Sequence, residues 1–328
     1  MGGRPSPVQG RVPEPEESMS EHVYGPVASR RLGRSLGLDL VPLKTCNLNC
    51  VYCQLGPTPL TTSERRAYVP ADAVLEELQA RIGEGLDADY VTLGGSGEPT
   101  LNTAFGEVAS GVRAACDVPV ALLTNGTLFH LREVREACAD VDLVLPSLDA
   151  GDEPTFQRVN RPHAGLTLAH VVEGLARLRD EFAGQIWLEV MVVEGLNASP
   201  EQVRRIRTQI ERVRPDRVQV NTPVRPPAEA AVGAADREIL ERICEALGPT
   251  AEVIAPLGPG AATAQAAVRQ DEVLAVLRRR PCTVADISAG LGIVPNEAVK
   301  LVQALLNRGA IRRRQRLYET YYEPSSGG

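Results

Sequence analysis

The chain has 328 residues, 43% of them hydrophobic and 23% charged, with a formal net charge of −7 and seven cysteines. That length holds one large domain plus a small one, or two of medium size, and the hydrophobic content excludes a disordered or fibrous chain. No apolar run reaches the ~20 residues needed to cross a bilayer. Residues Met1 to Ser20 are rich in Pro, Glu and Gly and lack the apolar core of a signal peptide. A disordered leader over 1–22 is expected, with Met19 as an alternative start, and a cytoplasmic location. A reducing compartment keeps thiols free, which turns seven cysteines toward a metal site rather than a disulfide framework.

An apolar run over 36–43 predicts a first strand that delivers the chain to Lys44-Thr45-Cys46-Asn47-Leu48-Asn49-Cys50-Val51-Tyr52-Cys53-Gln54. Three cysteines in eight residues, spaced C-x3-C-x2-C, set three thiolates on one short loop. Soft sulfur ligands suit iron, and the tight spacing lets one loop cap one cubic iron–sulfur cluster. Simple electron carriers hold a four-iron cluster with four cysteines, so three leave one iron open. A structural zinc site wants four ligands, and neither His22 nor His130 is near in sequence. A degenerate zinc loop is the competing reading. Cys116, Cys138, Cys244 and Cys282 lie scattered among apolar or small neighbours, and most of them read as ordinary buried residues.

Helix-like and strand-like stretches then alternate. Helices are expected over 70–82, 104–115, 131–139, 168–182 and 237–247, and one more from Ser199, with Pro200 at its first position. Strands are expected over 90–94, 118–123, 142–146, 186–193 and 216–220. With the first, these make six strands largely without polar alternation, the pattern of a parallel sheet covered by helices and hence an α/β fold. Parallel βα units put functional loops at strand C-termini, and the notable polar groups fall there. Gly94-Gly95-Ser96-Gly97-Glu98-Pro99-Thr100 follows the second strand. Its glycines let backbone approach a ligand, and Glu98 can accept from an ammonium or orient the turn. Thr124-Asn125-Gly126 ends the third strand and Ser147-Leu148-Asp149 the fourth, each also compatible with a plain turn or a helix cap. Glu189 is the one ionisable residue of an apolar fifth strand, so it needs a ligand or a structural arginine. The arginines of Phe156-Gln157-Arg158-Val159-Asn160-Arg161-Pro162-His163 can meet an anionic substrate or form a solvated loop.

Small residues from Gly258 to Ala264 mark a linker over 256–267. Beyond it, 268–279 reads as a helix with Val273, Leu274 and Leu277 inward. Thr283 starts a second helix with Asp286 completing a capping box. Asn296 caps a third that runs to Asn307, buried through Val299, Val302, Leu305 and Leu306. The stretch 311–318, with Arg312, Arg313, Arg314 and Arg316, reads as a β ribbon. Three helices and a ribbon over 268–325 look like a winged helix. From Val268 onward ten Lys and Arg face six Asp and Glu, a net +4, so the remainder carries −11. A basic module on an acidic body points to a polyanion, RNA or DNA phosphate. A docking unit for another protein is the alternative.

The cysteine loop resembles the signature of the radical SAM superfamily. The resemblance implies that the open iron is chelated by the amino and carboxylate groups of S-adenosylmethionine (SAM). An electron from the [4Fe-4S] cluster, donated in turn by flavodoxin or ferredoxin, then splits the sulfonium into methionine and a 5′-deoxyadenosyl radical. It places Tyr52 near the adenine, packing under the loop being the alternative. Gly97, Glu98 and Pro99 are similar to the family's Gly-Gly-Glu-Pro segment, with Ser96 in place of its first glycine, and that backbone meets the SAM amino group. By the same resemblance Thr124, Asn125, Ser147, Asp149 and Glu189 bond the SAM ribose or carboxylate. The implied architecture is a partial (βα)6 barrel over 23–255, followed by the small winged-helix domain. The Ser-Gly-Glu-Pro-Thr and Ser-Leu-Asp…Asn-Arg-Pro-His stretches are most similar to the subgroup related to tRNA wyosine synthases. Those enzymes carry a further cluster from cysteines near the N-terminus, whereas no cysteine precedes Cys46 here. An RNA nucleobase is the leading substrate class. A small metabolite or peptide is the enzymatic alternative, and a redox-sensing transcription factor the non-enzymatic one.

Overall fold

The computed structural model describes residues 22–325 except 30, 224–226, 230, 255–269, 279–280, 292, 294 and 317–318. The expected leader, but for its last residue, and the expected linker over 256–267 lie outside the described residues. One sheet carries eight strands in chain order: β1 (Val23–Ser29), β2 (Gly33–Leu38), β3 (Tyr90–Leu93), β4 (Val120–Thr124), β5 (Leu143–Pro146), β6 (Gln185–Met191), β7 (Arg217–Asn221) and β8 (Ala251–Val253). β1 runs antiparallel to β2, and every later pairing is parallel. The crossovers between parallel strands contain α1 (Ala71–Gly83), α2 (Phe105–Ala115), α3 (Arg132–Glu136), α4 (Glu153–Val159), α5 (Leu168–Glu181), α6 (Pro200–Val213) and α7 (Arg237–Leu247). This is an α/β fold with a mostly parallel sheet.

All six expected strands are present, and two more extend the sheet. β8 has three residues, too few to show a pattern. β1 is held by Tyr24, whose ring packs on Gly37, its register partner on β2. The first expected strand, 36–43, shifts to Gly33–Leu38, and the rest of that apolar run becomes the approach to the cysteine loop. A further departure is α4, whose residues 156–159 belong to the stretch offered as a solvated loop. Asp152 caps it by accepting from the Thr155 N–H at 2.9 Å, and a proline sits in its first turn.

Alternation along the strands separates two apolar layers. Leu122, Val144, Ile186, Leu188 and Val218 join the helices in the main core. Ala121, Leu143, Leu145 and Trp187, one residue out of phase, form a smaller cluster on the opposite face with Leu32 from the β1–β2 turn. A residue two positions beyond Leu145 or Trp187 therefore faces that inner side at the C-terminal end of the sheet.

After residue 269 the described chain has a helical stretch over 270–278 (α8), then α9 (Val284–Leu291), α10 (Pro295–Asn307) and an antiparallel hairpin of β9 (Ile311–Arg316) and β10 (Glu319–Pro324). These elements share their own core, with Val273, Leu277, Ile287 and Leu305 buried in it. Thr283 and Asp286 form the capping box, each side chain accepting from the other's backbone N–H. Asn296, expected as a cap, lies instead inside α10, which opens on Pro295, and its amide bonds elsewhere. Among the described residues no helix is long and apolar enough to cross a membrane.

Candidate functional site

The cysteine loop leaves β2 and is stitched to its neighbours by backbone. Lys44, in the left-handed region at φ 65°, donates its N–H to the Ser96 carbonyl at 2.7 Å. Glu98 returns a bond to the Thr45 carbonyl at 2.9 Å. Gly97 sits between these bonds, and a Cβ there would overlap the Thr45 carbonyl oxygen. Only glycine lets the two loops approach so closely. On the other side, Val51, Asn49 and His163 bond Val159, Asn160 and Asn47 through their backbones at 2.8–3.0 Å. The 159–163 stretch is thus a strut for the cysteine loop. Arg161 on it pairs with Glu229.

Each motif sulfur has its own N–H donor. Cys46 Sγ accepts from the Leu48 N–H at 3.4 Å and from Asn125 Nδ2 at 3.7 Å. Cys50 Sγ accepts from Asn160 Nδ2 at 3.5 Å, and Cys53 Sγ from Lys44 Nζ at 3.3 Å. The Lys44 ammonium is itself fixed by the Gly56 carbonyl at 2.6 Å. Burial pushes the Cys46 thiol up to about 12, and the Cys50 thiol well above its ordinary value. Half-buried sulfurs that resist ionisation, yet are supplied with donors, suit thiolates whose charge a metal neutralises. Among the described residues no three His, Cys, Asp or Glu side chains are arranged around a single metal ion. The donor set fits a cluster spread over three sulfurs, with amide and ammonium hydrogens aimed at them.

The strand-end residues divide between anchoring and facing inward. Glu98 is buried with both oxygens taken: Oε1 by Thr100 and Thr124, Oε2 by the Asn125 N–H at 2.7 Å. It orients the turn and ties the β3 loop to the end of β4. Burial raises its carboxyl pKa, while those bonds pull it down. Asn125 accepts from Thr127 and donates to Asn47, whose own amide reaches Thr127 Oγ1 at 2.7 Å. Asp149 accepts from the Tyr52 hydroxyl, from Asn160 Nδ2 at 2.7 Å and from the Met191 N–H at 2.9 Å. Burial still pushes its carboxyl up to about 6. Asn160 Oδ1 is left buried and without a partner among the described residues.

Ser147 and Glu189 are register neighbours, two positions beyond Leu145 and Trp187, so both face the inner side. Glu189 carries a structural arginine, Arg31 at 3.2 Å, and accepts from Asn221 Nδ2 at 2.8 Å. The Ser147 hydroxyl makes no bond among the described residues. Arg31, Asn221, the donor role of Asn160 and Asp39, which accepts from the Ser96 N–H at 2.5 Å, were not foreseen from the sequence. Asp39 carried one signal, a carboxylate within an apolar run.

The sequence model of the radical SAM superfamily matches residues 40–206, from just before the cysteine loop into α6. A UPF0026 protein from Helicobacter pylori is 32% identical over 303 residues, which cover 88% of this chain and 93% of that one. A Brachyspira hyodysenteriae protein named GTPase Obg is 32% identical over 296 residues, covering 89% of this chain but only 44% of that longer protein. Streptococcus suis SuiB, solved bound to S-adenosylmethionine, aligns at a TM-score of 0.48 and 16% identity over 68% of this chain and 47% of that one.

Proposed function

The chain belongs to the radical SAM superfamily, and from that premise we propose that Cys46, Cys50 and Cys53 hold a [4Fe-4S] cluster at which SAM is reductively cleaved. The observation that carries this reading is the separate N–H donor at each motif sulfur. When bound, the reduced cluster supplies the electron that splits SAM into methionine and a 5′-deoxyadenosyl radical. The protein's own part is placement. Lys44, Asn125 and Asn160 bond the sulfurs. The 94–98 backbone lies against the cysteine loop, where the SAM amino group belongs. Tyr52 flanks the adenine while bonded to Asp149, and Glu98 and Thr124 hold the 94–98 turn. Asn125, Ser147 and Glu189 stand at the C-terminal end of the sheet, where ribose and substrate enter.

The proposed substrate class is an RNA nucleobase. The resemblance to the wyosine-synthase subgroup and the basic C-terminal unit, read as a winged helix over 268–325, support it. Arg312 and Arg314 share Glu323 at 2.8 and 3.4 Å, so part of the ribbon's charge is compensated within the hairpin. A flavodoxin or ferredoxin in the cytoplasm is the proposed electron donor. The deciding experiment is anaerobic incubation of the reduced, reconstituted protein with SAM. Methionine and 5′-deoxyadenosine in equal amounts support the reading, whereas a cluster that titrates reversibly without cleaving SAM supports a sensor.

A further inference from the structure

The C-terminal unit reaches into the site through one stripe of α10. The buried residues of that helix fall on two faces. Ala298, Leu301, Val302 and Leu305 pack in the unit's own core. Asn296, Val299 and Gln303, spaced i, i+3, i+7, are buried outside it. At the first of these positions the Asn296 amide donates to Asp39 Oδ2 at 2.9 Å and accepts from the Ser96 hydroxyl at 2.7 Å. Asp39 takes the Ser96 N–H at 2.5 Å and can share the same hydroxyl. Gly95 is packed under this network, since a Cβ there would overlap Asp39, the Tyr24 hydroxyl and the Asn296 amide. Gln303 covers Gly56, the residue whose carbonyl fixes Lys44 Nζ beside Cys53.

We infer that Asn296 is a positioning residue for the 94–98 loop, so that the C-terminal unit completes the SAM site from outside the eight-stranded sheet. This rests on the reading that the 94–98 backbone meets SAM. Asn296 acts through Ser96, whose carbonyl holds the Lys44 N–H. Without that amide, the Ser96 hydroxyl and one Asp39 oxygen each lose a buried partner, and the loop is held from the barrel side alone.

The test compares full-length, cluster-loaded wild type with Asn296→Ala. Amide hydrogen exchange is followed over 94–98 without SAM, and the cluster EPR signal is titrated with SAM. Iron content stays at the wild-type level, because no sulfur donor changes. Exchange over 94–98 rises about tenfold, and the SAM concentration for the half-maximal EPR change rises by a similar factor. The same change made in an Asp39→Asn background has less effect, as expected for one shared network. Asn296→Asp, which keeps the volume but sets a carboxylate against Asp39, is the second variant should the alanine protein misfold. Unchanged exchange and an unchanged midpoint overturn the inference. A wild-type cluster indifferent to SAM overturns the SAM reading instead, and the exchange measurement then still decides whether Asn296 holds the loop.

Discussion

Tyr52 donates its hydroxyl hydrogen to Asp149 Oδ2 at 2.5 Å across a sequence separation of 97 residues. The aromatic beside the third motif cysteine is therefore aimed by the end of β5 as well as by its own loop. Packing under the loop and flanking a ligand were opposed readings of Tyr52, and the bond to Asp149 fixes its hydroxyl end under either. The ring can be fixed at its hydroxyl end and still offer a face.

Tyr52→Phe tests that anchor. The buried Asp149 carboxylate keeps Asn160 and the Met191 N–H but loses one donor, at a cost of about 1–2 kcal/mol. Urea unfolding of the cluster-free protein reads the loss, and iron uptake stays at the wild-type level. A stability equal to wild type would mean the bond contributes nothing.

Any one of Cys46→Ala, Cys50→Ala or Cys53→Ala abolishes reconstitution of about four irons per chain. Cys116→Ser and Cys244→Ser keep that iron, since Cys116 ends α2 and Cys244 lies on α7, helices that carry none of the motif. Half the iron lost in either serine variant would count against a single cluster held by the motif alone.

Asn160→Ala removes the donor to Cys50 Sγ. Hydrogen bonds to cluster sulfurs stabilise the more negative, reduced state, so the midpoint potential moves to a more negative value while iron content holds. A redox titration of the loaded variant against wild type measures the shift. A positive shift would remove Asn160 from that role.

Gly97→Val puts a branched side chain where the Thr45 carbonyl stands. The 94–98 loop and the cysteine loop must separate, so iron content and the EPR response to SAM fall together. The destabilisation is on the order of 3 kcal/mol. Full iron with only a weakened SAM response would show that the variant disturbs SAM alone.

Asp152 gives a pH-dependent prediction. Burial by itself raises its pKa, but bonds from Gln202 and Thr155 and the pairing with Arg205 together hold it down at about 2. A carboxyl depressed in the folded state stabilises above its unfolded pKa of ~4, and that contribution is lost as pH falls toward 2. Asp152→Ala therefore costs about 1–2 kcal/mol at pH 7, and the gap to wild type narrows below pH 4. Denaturant melts at pH 7 and pH 3 give the comparison. A gap independent of pH would assign the loss to the cap geometry alone.

How much of this was legible depended on distance along the chain. Local patterns carried the strands, most helices and the Thr283–Asp286 box, since each rests on residues within a turn or two. The cysteine loop was legible for the same reason, three ligands in eight residues. What holds it was not. Asn125 read as a turn or a SAM contact and Asn160 as part of a solvated loop, and only the fold brings them to Cys46 and Cys50. Glu98 could accept from an ammonium or orient the turn, and only β4, by supplying Thr124 and the Asn125 N–H, shows what holds it. Glu189 left two readings open, and only the β1–β2 turn, which carries no motif, supplies Arg31. Asn296 matched a cap by composition, but its partners lie at Asp39 and Ser96.

The donors at the sulfurs also set an order of events during synthesis. The ribosome makes the cysteine loop first, Asn125 next and Asn160 later, 110 residues after Cys50. Asn296 follows 257 residues after Asp39. A nascent chain ending before Asn160 displays three thiols with no strut and with only part of their donors, and pairings so far apart in sequence close late. Iron loading is therefore expected to follow completion of the parallel sheet. Ribosome-arrested chains stopped before residue 160 should retain no iron after gel filtration, and chains that clear the tunnel past α7 should retain it.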